Sequence, residues 1–128
     1  MTEKDLIQFW LETADNDYQS AEDNIKAKHY DWAFFQYNLA IEKLLKGLVY
    51  KQSITPKFTH DLLDLAKTAK ITLPKDILEH LAEINTYNIS ARYDDFKRTF
   101  YLKVTKSIYY TLWQKRCQEV YLWLRKQY

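Results

Sequence analysis

Glycine occurs once in this chain of 128 residues, and proline twice. So few turn-formers leave room for few tight turns, which implies long elements with short connections. The scarcity of glycine also removes whole classes of chemistry. A phosphate loop or a dinucleotide fingerprint needs several closely spaced glycines, and neither can be built here. Cysteine is as rare: Cys117 stands alone, so no disulfide forms within the chain, and a reducing, cytoplasmic setting is expected. No apolar run approaches the roughly 18 residues of a membrane span. The opening MTEKDLIQFW has neither a basic start nor a clean apolar run, so it is not expected to be a signal peptide. Three dispersed histidines and one cysteine have no metal-ligand spacing, and no metal or other cofactor is expected. No serine or cysteine nucleophile motif is visible, so no catalytic residue is assigned.

Aromatic residues are abundant instead, at 16% of the chain with 11 tyrosines. The length suits one domain over residues 1–128, with enough apolar surface for one core. The net charge of +2 hides a gradient. Residues 1–31 carry a net −5, residues 32–96 a net 0, and residues 97–128 a net +7. Two readings follow. Helices of opposite charge lie together or pair between subunits, or the basic end offers a surface to nucleic acid.

Apolar spacing predicts an all-α, up-and-down bundle of about five helices. Helix one spans about 3–27, with Ile7, Leu11, Ala14, Tyr18, Ala21 and Ile25 on one face and Thr2 with Asp5 as a capping box. Helix two spans about 32–52, capped by Asp31; its stripe from Ala33 to Val49 is broad enough for a central position. Gly47 falls inside that helix, where a close crossing would explain it. Pro56 breaks the chain, and Thr59 or Asp61 starts a short helix three, about 60–69. Thr72 and Pro74 introduce helix four, about 75–90. Residues 91–100 lose periodicity and read as a loop or turn. Helix five, about 101–127, has Val104, Ile108, Leu112, Trp113, Cys117, Val120 and Leu124 as its apolar set. One helix cannot turn Tyr109, Tyr110, Trp113, Tyr121 and Trp123 all inward, so a homodimer is expected.

Candidate functional residues are few. Lys43 and Lys46 are three apart on helix two, so their ammonium groups reach one volume; Glu42 stands four before Lys46 in the order that favours a surface pair. A solvated helix face and an anion site both fit. His60, at the start of helix three, suits either a capping or packing role or a proton-handling group at a pocket mouth. His29 and His80 read as incidental.

Three stretches then line up in order: AIEKLLKGL (40–48), FTHDLLDL (58–65) and ARYDD (91–95). Together with WLETADNDYQSAEDNI (10–25) they resemble the HEPN family of small helical domains linked to nucleotide binding, over nearly the whole chain. The resemblance implies a usually dimeric helical bundle, similar to the C-terminal domain of kanamycin nucleotidyltransferase. Many such domains act beside a minimal nucleotidyltransferase, some as a toxin–antitoxin pair, and others are ribonucleases. The positions that match are Glu42, Lys43 and Lys46, then His60 and Asp61, then Arg92, Tyr93 and Asp94. The ribonuclease members carry a histidine after the arginine, with four to six residues between the two. Here those places hold Lys97, Arg98 and Thr99, so that motif is missing. Asp94 stands where many relatives have proline.

The resemblance thus implies that Arg92, Lys43, Lys46 and His60 share a cleft suited to a phosphate or another anion. Tyr93 would stack on a base or pack at a dimer seam. In the plainer alternative, Arg92 is a strut paired with Asp61, Asp94 or Glu42. The leading functional expectation is a non-catalytic accessory domain that binds a nucleotide or other phosphate-bearing ligand and partners a small nucleotidyltransferase. A ribonuclease toxin acting on RNA through an atypical site, and a purely structural dimer, are the alternatives. No membrane partner is expected.

Overall fold

The first helix starts where Thr2 and Asp5 exchange hydrogen bonds, the Thr2 hydroxyl accepting from the Asp5 amide at 3.1 Å and the Asp5 carboxylate from the Thr2 amide at 3.0 Å. In the computed structural model, which describes residues 1–128, this reciprocal cap opens α1 (Glu3–Lys26). It is followed by α2 (Tyr30–Lys51), α3 (Leu62–Thr68), α4 (Lys75–Asn85), α5 (Tyr87–Arg92), α6 (Asp94–Val104) and α7 (Ser107–Arg125). The chain keeps helical dihedrals through Thr86, so α4 and α5 count as one helix or two. There is no strand, and no helix is long and apolar enough to cross a membrane.

The breadth of the α2 stripe has the expected consequence. Phe34, Tyr37, Ile41, Leu44, Leu45 and Val49 are fully buried, and α2 packs against every other helix of the bundle. Gly47 sits where α1 and the C-terminal residues close on α2. A β-carbon there would lie 3.1 Å from Trp10 Cβ and collide with the Tyr128 hydroxyl, which donates to the Leu44 carbonyl at 2.7 Å.

The tyrosines resolve the charge gradient inside one chain. Acidic α1 lies against basic α7, and tyrosines fill the seam with their rings in the core and their hydroxyls on carboxylates. Glu22 accepts from Tyr37 at 2.5 Å, Gln114 at 3.0 Å and Gln118 at 2.8 Å. Asp15 receives Tyr121 and pairs with Arg125 at 2.8 Å.

Four expectations need correction. Asp31 does not cap α2; it lies in the first turn of a helix that starts at Tyr30 without a side-chain cap. Residues 91–100 are not a loop. Tyr93 alone is extended, and α6 begins directly after it with Asp94 and Asp95 at its positive end. Only Phe100 and Val104 of α6 are buried, too sparse an apolar signal to read as a helix. The long fifth helix is divided at Thr105–Lys106, where Lys106 is extended. That break shifts the helical phase, so Ile108 and Leu112 point outward, Ile108 with 81% of its surface exposed. The aromatic residues offered as grounds for a dimer are turned inward instead: Tyr121 is buried, Tyr109 and Trp113 stack on each other, and Tyr110 stacks on Tyr30. Trp123 packs against the core.

Candidate functional site

The matching residues separate into two neighbourhoods along α2. In the first, the Glu42 carboxylate is buried, with 6% of its side chain exposed. It accepts from Lys46 Nζ at 3.0 Å and faces His60 Nδ1 at 2.9 Å. A carboxylate is acceptor-only, so Nδ1 carries the proton in that bond and Nε2 is the ring's other face. Lys46 also lies over the Trp10 ring, 5.6 Å from its centroid. Lys43 does not join this group. It reaches to α1 and pairs with Asp17 at 2.6 Å. Asp61 caps α3: one carboxylate oxygen accepts from the Leu63 amide at 3.0 Å, the Asp64 amide at 3.3 Å and Asn85 Nδ2 at 3.1 Å. His60 and Asp61 line a polar hollow of about 320 Å³ with Thr59, Asn85, Asn88 and Ile89.

The second neighbourhood lies where α5 turns into α6. Arg92 ends α5, its guanidinium carbon 4.9 Å from the centroid of the Phe35 ring and its Nε donating to Asn88 at 2.6 Å. Phe35 precedes Glu42 by seven residues, about 10 Å along the helix axis, so Arg92 is not beside the lysines. Nor is it a strut on Asp61, Asp94 or Glu42. Asp94 is on the surface, paired with Lys97 at 3.2 Å. Arg92 instead lines an open cleft of about 530 Å³ with Asp31, Trp32, Phe35, Tyr93 and Lys97, floored by Ala91 and Phe100. Trp32 is 61% exposed and Tyr93 59% exposed.

The two places differ in the charge they offer. At Glu42 the Lys46 ammonium and the His60 ring N–H are both spent on one buried carboxylate. In the cleft, Arg92 keeps its terminal nitrogens, and Lys97 has only a solvated one-turn pair. Exposed aromatic faces beside cations suit a planar ring carrying an anion. Arg92 and Tyr93 are legible in the sequence, whereas Trp32, Phe35 and Lys97 were missed. Lys97 is placed by the α5–α6 turn, which read as loop, and Trp32 by the first turn of α2. Far before that turn in the chain, Trp32 by itself gave no signal.

This geometry defines a helical-bundle domain with an aromatic, cation-lined cleft at a helix–helix turn. The chain belongs to the HEPN family, whose domain matches residues 7–127. In fold it is similar to TT1696 from Thermus thermophilus, with a TM-score of 0.73 and 22% identity over 95% of this chain and 98% of that one. No curated protein matches it.

Proposed function

We propose that residues 1–128 act as a single non-catalytic module that binds a nucleotide or other phosphate-bearing ligand and works with a small nucleotidyltransferase in the cytoplasm, as one half of a toxin–antitoxin type pair. The observation that carries the ligand reading is the cleft itself: Trp32 and Tyr93 offer faces to a base, and Arg92 and Lys97 offer charge to its phosphates. Its volume lies within the range of small-molecule sites, about 300–1,000 Å³. Arg92 and Tyr93 are then ligand contacts. Glu42, Lys46, His60 and Asp61 hold the α2–α3 connection, and Lys43 and Asp94 pair with Asp17 and Lys97. The partner and the self-association rest on family membership together with the exposed rings around the cleft.

Calorimetry with ATP tests the ligand reading. The wild type should bind, salt should weaken binding, and Arg92→Ala and Trp32→Ala should each weaken it without unfolding the protein. Affinity unchanged in both variants would contradict it. Light scattering should give a dimer rather than a 15.5 kDa monomer.

One observation favours the ribonuclease alternative. His60 lines the hollow that contains Asn88, and Asn88 accepts from Arg92, so an imidazole and a guanidinium flank one side chain. Metal-independent RNA cleavage needs both a charge stabiliser and a proton carrier. No histidine follows Arg92 at the family spacing, so purified protein should leave RNA intact. Cleavage lost in His60→Ala or Arg92→Ala would reverse that reading.

A further inference from the structure

The phase shift at Thr105–Lys106 leaves α7 with a second face that neither the core nor the cleft uses. Ile108, Leu112, Lys115, Glu119, Leu122 and Lys126 are all exposed and follow one another at alternating steps of four and three. That alternation is the seam along which one helix accepts another. From Ile108 to Leu122 the seam runs about 21 Å, or four helical turns. Isolated exposed leucines need no explanation, but Ile108, Leu112 and Leu122 share one face, with Lys115 and Glu119 between the last two.

Charge narrows the occupant. Lys115 and Lys126 lie in the seam and Lys106 at its start, and none of the three enters an ion pair within the chain. The one acid of the seam, Glu119, faces His80 at 3.8 Å. We infer that this face of α7 docks an acidic amphipathic helix of a partner protein, whose aliphatic residues lie on Ile108, Leu112 and Leu122 while its carboxylates meet Lys106, Lys115 and Lys126. Nucleic acid fits poorly, because the stripe is aliphatic and gives bases no ring to stack on. An anionic bilayer offers the same charge but no helix to follow the four–three register, and vesicles are one arm of the test.

The test uses a fluorescent peptide of about 18 residues, with leucines at four–three spacing and glutamates flanking them, and a twin with lysines in place of the glutamates. Fluorescence anisotropy should show saturable binding of the acidic peptide, about tenfold or more tighter than the twin and weakened by salt. Ile108→Glu with Leu112→Glu should abolish binding, and Lys115→Glu should weaken it. All three positions are exposed, so the variants should stay folded, which circular dichroism checks. Trp32→Ala should bind like the wild type. Three results would overturn the assignment: no binding of the acidic peptide, equal binding of both peptides, or unchanged binding by the α7 variants. So would α7-dependent binding to phosphatidylserine vesicles without peptide binding, or a wild-type dimer that Ile108→Glu with Leu112→Glu converts to monomer. The first would make the face a lipid surface, and the second a contact between copies.

Discussion

Glu42 and Arg92 belong to motifs that look alike in sequence, each a charged residue in a small apolar setting, yet they sit in opposite circumstances. Glu42 is buried and draws its hydrogen-bond donors from the same chain, Lys46 one turn on and His60 from the α2–α3 connection. Arg92 is exposed and meets a ring and a neutral amide. The first arrangement neutralises itself and ties helices together. The second leaves positive charge facing solvent. A run of cations in a sequence therefore does not mark an anion site until the location of their counter-charges is known.

The contrast can be broken by substitution. Glu42→Ala should have the largest effect. It leaves Lys46, 15% exposed, without its carboxylate and frees His60, for a loss of about 2–4 kcal/mol in chemical denaturation. Ligand affinity of the fraction that remains folded should be unchanged. Arg92→Ala should behave the other way round, losing about 1.4 kcal/mol of ATP affinity, or tenfold, with stability nearly unaltered.

Acid should expose the same logic at the α1–α7 seam. Burial alone would raise the Glu22 carboxyl, but hydrogen bonds from Tyr37, Gln114, Gln118 and Tyr18 outweigh it and hold the group below its ordinary 4.5. The Arg125 hydrogen bond likewise lowers Asp15 from 3.8. Depressed carboxylates stabilise the fold above their ordinary values and lose that contribution as pH falls through the depressed ones. Melting temperature should therefore drop as pH is lowered from about 4.5, and Glu22→Gln should flatten the profile over that window. Lys43→Ala should matter least, because the Lys43 and Asp17 side chains keep 30% and 26% of their surface exposed; about 1 kcal/mol is expected from a denaturant titration.

Much of the fold was legible because its signals are local. The Thr2–Asp5 box, the broad α2 stripe and the break at Pro56 each carry their cause within a few residues. Gly47 was readable as a tight crossing, though Tyr128, which fills the space, lies 81 positions away. What was missed depends on long-range packing. The α6 helix has two core anchors among eleven residues, Phe100 and Val104, so its periodicity is nearly silent. The single extended residue Lys106 then reverses the sense of Ile108 and Leu112. The candidate site was legible in part for the same reason. The motifs gave Arg92, Tyr93, Glu42 and His60 as separate residues, but Lys43 turns to α1, and Trp32 reaches the cleft only through packing of α2 on the α5–α6 turn.

The proposed nucleotide site at Trp32, Arg92 and Tyr93 is the deciding question. Titration of isotope-labelled protein with ATP, followed by amide and indole chemical shifts, reads this residue by residue. The predicted result is movement at Trp32, Phe35 and the stretch from Ala91 to Lys97, with Lys43, Lys46 and His60 still. Shifts centred on Lys43, Lys46 and His60, with Trp32 and Tyr93 silent, would contradict it.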